Sequence, residues 1–268
     1  MRITIITPNF NGARFLEQAL ASVARQRAGG LEVEHWIMDA GSTDGSLDII
    51  RPFLGRDTQL VSEADHGPAS AINKGLRRAT GEAIAWLNTD DLYHPQALRR
   101  AVAVLEARPD RALVFGRCRI VDDAGAEIRR PITRFKELFF PLSSRFTIQC
   151  INYVSQPAMV FRRSALDRAG WLREDLRAAF DYEYLLRLWR CGGAARVPGP
   201  PLADFRWHRG SISGQHFRRQ FQEEWEAAAA DAGRASLQAL LHLAVRFGIV
   251  GIYTLIQSAQ QRKQRSFR

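Results

Sequence analysis

Ala83-Ile84-Ala85-Trp86-Leu87-Asn88-Thr89-Asp90-Asp91 is the stretch of sequence that decides the fold. Its first five residues form a short apolar run that is typical of a buried β-strand. The two aspartates follow that strand directly, and carboxylates in this position suit a hard divalent cation that keeps open positions for substrate phosphates. The alternative is a solvated acidic turn ahead of the next helix, whose start is marked by Pro95.

Strands and helices alternate around this stretch. The apolar periodicity predicts strands at residues 2–7, 33–38, 59–62, 83–87 and 112–115, and helices at residues 13–26, 46–53, from 67 onward and 95–106. Such alternation predicts an α/β fold with a mostly parallel, Rossmann-like sheet and helices on both faces. Ligands of open sheets bind beyond the carboxyl ends of the strands. We therefore expect residues 7–9, 39–42 and 88–91 to meet in one crevice.

The pattern changes after Phe115. Residues 117–121 and 127–130 predict a hairpin around an Asp/Gly turn. Residues 134–151 show weak periodicity and are interpreted as an irregular or lid segment, and residues 156–161 as a strand. Ser164 is expected to cap a short helix, and residues 181–190 to form a longer one. The predicted organisation is a nucleotide-binding half at 1–115, an acceptor-binding half at 116–210 and a helical, basic C-terminal extension at 211–268.

The C-terminal extension contains an apolar stretch at residues 237–257, interrupted by His242 and Arg246. This composition argues against a membrane-spanning helix and favours an amphipathic one. The basic run Arg262-Lys263-Gln264-Arg265 follows it, as expected for peripheral attachment to an anionic leaflet. The alternative is packing on its own domain or on a second subunit in a homodimer.

Composition narrows the classes of protein. The chain has 268 residues, 46% hydrophobic and 25% charged, as in ordinary globular proteins. Of its net charge of +10, +6 lies between Phe205 and Arg268. Aromatic residues are not interleaved with the basic ones in a nucleic-acid-binding motif, so a nucleic-acid partner is not expected. Three scattered cysteines and an N-terminus without a signal-peptide core favour the cytoplasm, with possible attachment to the inner face of the plasma membrane.

Taken together, several motifs resemble those of glycosyltransferase family 2, whose members are inverting enzymes with a GT-A nucleotide-binding fold. The resemblance rests on motifs in the first 95 residues and continues more loosely to about Arg209. These motifs are Ile3–Asn11, Met38–Ser46, Ser62–Gly67, Ala71–Gly75 and Ala79–Asp91.

The resemblance implies a nucleotide pocket. Thr7, Pro8 and Asn9 would line it, the first two through main-chain contacts. Asp39 would accept a hydrogen bond from the base or ribose, with capping of the Gly41-Ser42 turn as its alternative role. Many relatives have a second aspartate at the position of Ala40. Asp65, Asn73 and Lys74 would border the pocket, although Lys74 also fits a solvated helix position.

The resemblance also implies a metal site for Mg²⁺ or Mn²⁺. Asp91 would be the main ligand, and Asp90 would contact the ribose, or the metal through water. His208 matches a histidine that completes the metal or diphosphate site in some relatives, and its alternative role is a surface imidazole. A divalent cation neutralises the charge that develops on a nucleoside diphosphate leaving group.

Inversion requires a base that takes the proton of the acceptor hydroxyl. Asp181 falls on the family's aspartate for this role, and the neighbouring Phe180 is expected to raise its pKa by desolvation. Its alternative role is a helix N-cap, and Glu183 is the rival base. Residues 156–159 are expected to form part of the acceptor wall. Trp86, Trp171 and Trp207 are sugar-stacking candidates or core residues.

The expected function is transfer of one sugar from a nucleotide-diphosphate donor to a glycan or lipid-linked acceptor in cell-surface polysaccharide or glycoconjugate synthesis. UDP-sugar is the favoured donor, with GDP- and dTDP-sugars as alternatives. A metal-dependent nucleotidyltransferase and an inactive nucleotide-sugar-binding protein are the competing hypotheses. The first would need a glycine-rich phosphate loop after strand one, which Thr7–Gly12 is not.

Overall fold

The elements of the first 115 residues follow the predicted order. A computed structural model describes the backbone of residues 1–265 and the side chains of residues 1–251. The strands are β1 (Ile3–Asn9), β2 (Val33–Asp39), β3 (Thr58–Ser62), β4 (Ala83–Trp86), β5 (Leu92–Tyr93), β6 (Leu113–Phe115), β7 (Cys118–Val121), β8 (Glu127–Ile128), β9 (Met159–Arg162), β10 (Ala194–Arg196) and β11 (Ala203–Arg206). The helices are α1 (Ala13–Ala24), α2 (Ser46–Ile50), α3 (Pro68–Arg78), α4 (Ala97–Ala107), α5 (Arg130–Glu137), α6 (Arg145–Cys150), α7 (Arg163–Ala169), α8 (Phe180–Arg190), α9 (Ile212–Gln215), α10 (Phe217–Ala232) and α11 (Leu237–Arg265).

Seven strands form the main sheet in the order β10-β6-β9-β4-β1-β2-β3. All neighbours are parallel except β9, which runs antiparallel to both β4 and β6. β9 and β10 come from beyond residue 115, so the two predicted halves contribute to one sheet. β5, β11, β7 and β8 form a second sheet of four strands, in which β7 and β8 are the predicted hairpin.

Both faces of the main sheet are buried, which confirms the prediction of helices on either side. Alternate residues of a strand point to opposite faces. Accordingly Ile6 and Trp86 belong to one hydrophobic cluster, with α3 and α8, while Ile5 and Ala85 belong to a second, with α1 and α4. Strands buried on both faces have continuous apolar sequences, which is why residues 83–87 identify the fold.

Three sequence predictions fail in the second half. Ser164 does not cap α7, because that helix begins at Arg163 with Arg162 as its N-cap residue, and Ser164 lies inside it. The segment 134–151, interpreted as irregular, contains the end of α5 and the whole of α6; Ser144 caps α6 by accepting a hydrogen bond from the Thr147 N–H at 3.1 Å. The strand predicted at 156–161 begins instead with a 3₁₀ turn, Gln156–Ala158, and β9 follows it. Pro157 accounts for the late start, since a proline has no N–H for the ladder.

The C-terminal extension is helical, as predicted. α10 and α11 lie against each other and against α6, and His242 of α11 is buried with Nδ1 3.0 Å from the carbonyl oxygen of Gln149. Among the described residues, no helix combines the length and hydropathy needed to cross a bilayer. The basic run at 262–265 lies outside the described side chains.

Candidate active site

The carboxyl ends of β1, β2 and β4 meet at one edge of the main sheet. β1 is registered with β2 up to the pair Asn9–Asp39, but with β4 only as far as Ile6–Trp86. Pro8 ends the ladder with β4, because its position points toward β4 but it carries no N–H. The loops after β1 and β4 then touch at Gly12, where a Cβ would lie 2.5 Å from Asn9 Oδ1 and 2.8 Å from Thr89 Oγ1. Any larger residue at this position would have to displace the side chains of Asn9 and Thr89.

Asp39 is buried at this edge and holds the loop that follows β2. Its carboxylate accepts hydrogen bonds from the N–H groups of Gly41 and Ser42 at 3.0 Å, from the hydroxyls of Ser42 at 2.6 Å and Ser62 at 2.7 Å, and from Asn9 Nδ2 at 2.6 Å. Burial acts to raise its pKa, but these hydrogen bonds hold the pKa below its usual value. The structure thus gives Asp39 the turn-capping role that the sequence offered as its alternative.

The side chains of Thr7 and Asn9 are also used within the protein. Thr7 Oγ1 lies 2.9 Å from Nε2 of His35, whose pKa burial lowers to about 3, so that imidazole is neutral. Asn9 is buried and donates to Asp39 and to Ser42 Oγ. The main chain of Thr7 and Asn9 is paired with β2, and Asn9 Oδ1 is a buried oxygen for which no partner is found among the described residues. The main-chain ligand contacts expected of Thr7 and Pro8 stay a prediction.

The loop between β3 and α3 carries the remaining predicted nucleotide contacts. Asp65 is half-buried, and Oδ1 accepts a hydrogen bond from the Gly67 N–H at 2.8 Å; no hydrogen bond to its second oxygen is found among the described residues. Lys74 donates to the Ala64 carbonyl oxygen at 2.7 Å and forms a salt bridge with Glu63 at 3.1 Å. Asp65 therefore remains a candidate ligand contact, and Lys74 braces its loop.

The side chain of Asn73 does not contact the loop between β3 and α3 through any hydrogen bond found among the described residues, but binds residues 172–174. It is buried, its Nδ2 donates to the Leu172 carbonyl oxygen at 2.9 Å and to Glu174 at 2.8 Å, and its Oδ1 accepts from the Leu172 N–H at 2.9 Å. The structure thus assigns Asn73 to joining α3 to the segment before α8.

Asp90 and Asp91 differ sharply in exposure. Asp91 is 0% exposed; its Oδ1 accepts the Arg206 N–H at 3.0 Å, and Asn88 Nδ2 donates to its Oδ2 at 3.3 Å. Burial and the neighbouring charge of Asp90 raise the pKa of Asp91 well above its usual value. Asp90 keeps exposed surface, and its Oδ2 lies 3.1 Å from His208 Nε2. The half-buried Asp90, rather than Asp91, thus faces a possible ligand.

His208 is oriented by its surroundings. Its ring packs on Phe15 with centroids 5.2 Å apart, and the Gly210 N–H donates to its Nδ1 at 3.2 Å. A nitrogen that accepts a hydrogen bond carries no proton, so Nε2 is the N–H that donates to Asp90. Within the described part of the chain, no cluster of three or more His, Cys, Asp or Glu side chains could hold a metal.

Arg206 is a site residue that the sequence analysis missed. Its side chain is almost completely buried and donates to the carbonyl oxygens of Asp90, Asp122 and Asp123 and to Gln18 Oε1, at 2.7–3.1 Å. It thereby ties the Asp90 loop to α1 and to the β7–β8 hairpin. No pattern in the sequence indicated this role, since β11 alternates apolar with charged residues and the burial of Arg206 appears only in the fold.

Asp181 lies in the first turn of α8 and is half-buried, and its Oδ1 accepts a hydrogen bond from the Tyr182 N–H at 2.8 Å. Burial and the negative charge of Glu224 raise its pKa to about 6. The predicted direction agrees, but the charge of Glu224 was not foreseen. A carboxyl group titrating near 6 suits general-base catalysis around neutral pH. The rival base, Glu183, is held by Arg187 through two hydrogen bonds of 2.8 and 2.9 Å.

The acceptor-wall and stacking candidates separate into different environments. Gln156 donates to the Trp86 carbonyl oxygen at 2.8 Å, which places it at the carboxyl end of β4. Trp86 is a core residue, 1% exposed. Trp171 and Trp207 are covered by the guanidinium groups of Arg77 and Arg129, at 5.1 and 3.8 Å from the ring centroids.

Solved structures share this architecture. TarS of S. aureus in complex with UDP-GlcNAc aligns with a TM-score of 0.69 at 18% identity, over 90% of this chain and 69% of TarS. The mannosyltransferase PcManGT of Pyrobaculum calidifontis, in complex with GDP-Man and Mn²⁺, aligns with a TM-score of 0.64 at 22% identity, over 97% of this chain and 83% of PcManGT. These alignments confirm the predicted GT-A fold.

Sequence relatives are glycosyltransferases. An uncharacterized glycosyltransferase of Nostoc sp. is 32% identical over 63% of this chain, and a PGL/p-HBAD biosynthesis glycosyltransferase of Mycobacterium bovis is 37% identical over 42%. The matches span 53% and 45% of those proteins. The family model described as glycosyl transferase family 2 matches residues 4–170. Because this match covers more than half of the chain, the protein belongs to glycosyl transferase family 2.

Proposed function

We propose that the protein is an inverting, metal-dependent glycosyltransferase that moves a sugar from a nucleotide-diphosphate donor to a hydroxyl group of a glycan or lipid-linked acceptor. The observation that carries the proposal is Asp181, a half-buried carboxyl group whose pKa lies at about 6. A group of that pKa is ionised at neutral pH and still basic enough to accept a proton. The product would belong to a cell-surface polysaccharide or another glycoconjugate.

Donor binding is proposed at the carboxyl ends of β1, β2 and β4. The side of Pro8 beyond the end of the β1–β4 ladder and the second oxygen of Asp65 would contact the donor there, and Asp39 would support the pocket from behind. The complexes of TarS with UDP-GlcNAc and of PcManGT with GDP-Man support a nucleotide-sugar donor. We favour a UDP-sugar.

The side chains present fit a metal that shares its coordination with the donor. Mg²⁺ and Mn²⁺ sites of this kind use one or two protein ligands together with phosphate oxygens and water. Asp90 Oδ2 and His208 Nε2, 3.1 Å apart, would supply those ligands. For Nε2 to bind, its proton would have to move to Nδ1, which would then no longer accept the Gly210 N–H. When bound, the cation supplies charge neutralisation at the departing diphosphate.

The chain's own residues would perform the proton transfer. Asp181, ionised, accepts the proton of the acceptor hydroxyl as its oxygen forms the new bond to the anomeric carbon. The bond from that carbon to the diphosphate oxygen breaks, and the nucleoside diphosphate leaves. A single displacement of this kind inverts the anomeric configuration.

Binding of nucleotide sugars tests the proposal. We expect one donor among UDP-, GDP- and dTDP-sugars to bind the wild-type protein more tightly with Mn²⁺ than without, by calorimetry, and to be hydrolysed slowly. Asp65→Asn should weaken the binding, whereas Glu226→Gln, an exposed change remote from the crevice, should not. Failure of every donor to bind, with and without metal, would contradict the proposal and favour an inactive protein.

We also propose peripheral attachment at the inner face of the plasma membrane through α11. Leu237, Leu240, Leu241 and Phe247 of this helix are exposed by 40–65%, and exposed apolar side chains beside basic ones favour anionic leaflets. The protein should float with vesicles containing phosphatidylglycerol but not with pure phosphatidylcholine, and Phe247→Glu should reduce flotation. Concentration-dependent dimerisation without flotation would instead support the homodimer.

A further inference from the structure

Two adjacent glutamates of α10 are buried against the segment that carries the proposed base. Glu223 and Glu224 are 5% and 4% exposed, although charged side chains seldom lie in the interior without partners. Both lie outside the part of the chain that the family model matches, residues 4–170. Their contacts differ: Glu223 binds the backbone that leads into α8, and Glu224 acts on Asp181 through its charge.

Glu223 holds the backbone at the entrance to α8. One of its oxygens, Oε2, accepts three consecutive N–H groups, from Arg177 at 3.1 Å, Ala178 at 2.8 Å and Ala179 at 3.0 Å. Arg219 Nε donates to Oε1 at 2.7 Å. Burial acts to raise the pKa of Glu223, but these donors hold it below its usual value. An ionised carboxylate therefore fixes residues 177–179, the segment that leads into α8 and Asp181.

Glu224, the next residue of α10, is buried in the helix that packs against α8 and has other partners. It is held by Asn152 Nδ2 and by Gln220 Nε2, both at 3.1 Å from Oε1. After burial, its negative charge is the largest influence that raises the pKa of Asp181, and Lys136 of α5 opposes it. Both charges act on Asp181 from other helices, Glu224 from α10 and Lys136 from α5.

We propose that Glu223 and Glu224 are positioning residues for the base: Glu223 anchors the start of α8 through three backbone N–H groups, and Glu224 keeps a second carboxyl group within electrostatic range of Asp181. This inference rests on the proposed role of Asp181. It makes α10 a functional part of the active site, since one helix sets both the position and the proton affinity of the base.

The titration of Asp181 provides the test, because it needs no substrate. Aspartate labelled with ¹³C at the carboxyl carbon is followed by NMR from pH 3 to pH 9, and the spectrum of Asp181→Asn identifies the resonance. Glu224→Gln should move the midpoint of Asp181 to lower pH by roughly half a unit or more, since a like charge is removed. Glu226→Gln, the same change on the exposed face of α10, should leave the midpoint in place.

Steady-state kinetics with the donor found above test the anchoring. Glu223→Ala should lower kcat about 10-fold or more with little change in donor KM, because a small misplacement of the base slows the chemical step. Glu223→Gln, which retains an acceptor oxygen, should recover part of that loss. For Glu224→Gln, the acid limb of the kcat profile should follow the NMR midpoint.

The two proposals fail separately. An unchanged Asp181 midpoint in Glu224→Gln, or a Glu223→Ala protein that loses only thermal stability and keeps its kcat, would overturn the inference while leaving Asp181 as the base. Wild-type activity in Asp181→Asn would instead overturn the proposed base, whatever the NMR midpoints show.

Discussion

Asp181→Asn should lower kcat by about 10²–10⁴-fold, the usual contribution of a general base. Asparagine has nearly the same shape as aspartate and leaves α8 in place, but its amide has no affinity for the acceptor proton. Donor affinity, measured by calorimetry, should stay within about twofold of the wild type, because the donor crevice lies at the ends of β1, β2 and β4. In the wild type, kcat should rise with pH through a midpoint near 6.

The same substitution should also change how the free energy of unfolding depends on pH. The pKa of Asp181 is about 6 in the folded protein against an ordinary value of 3.8, so the folded state binds this proton more tightly. The contribution to the free energy of unfolding is therefore fully present below 3.8 and is lost as pH rises through 6. Asp181→Asn should flatten that part of the stability profile measured by urea denaturation. An unchanged profile together with unchanged kcat would exclude Asp181 as the base.

Sequence patterns predicted the first half of the fold because each strand or helix there can be recognised from the apolar pattern of its own residues. β4 is a continuous apolar run, and α1 has one apolar stripe. The second half depends on long-range contacts. Residues 134–151 gave no clear period, yet they contain the end of α5 and the whole of α6, and Phe140, Ile148 and Ile151 pack on a core assembled from distant strands.

The candidate site was likewise predicted only in part from the sequence. Sequence spacing identified the loops at the sheet edge but not the direction of each side chain. The sequence favoured a ligand contact for Asp39 over a turn cap, and only its five hydrogen bonds show the second role. Glu223 and Glu224 gave no signal, because two glutamates on a polar helix also fit a solvated face. Their burial depends on the packing of α10 against α8.

Asp90→Ala should affect mainly donor binding and Asp91→Ala mainly stability. The two variants therefore distinguish Asp90, the proposed metal ligand, from Asp91, which supports the loop. Asp90 keeps exposed surface beside His208, so Asp90→Ala should abolish the Mn²⁺-dependent part of donor binding, a loss of about 10-fold or more, with little change in Tm. Asp91 has no exposed surface, so Asp91→Ala should lower the free energy of unfolding by about 1–3 kcal/mol, because the buried Arg206 N–H loses its acceptor. Calorimetry and thermal denaturation measure the two effects.

Asp91→Asn is the matched control, because it keeps an acceptor oxygen for the Arg206 N–H. It should recover most of the stability lost in Asp91→Ala and retain Mn²⁺-dependent binding. The raised pKa of Asp91 gives a further reason: burial already disfavours the charged form, so a neutral isostere fits the site. If Asp91→Asn were stable but lost Mn²⁺ dependence while Asp90→Ala kept it, Asp91 would be the ligand, and the loop would have to rearrange on donor binding to expose it.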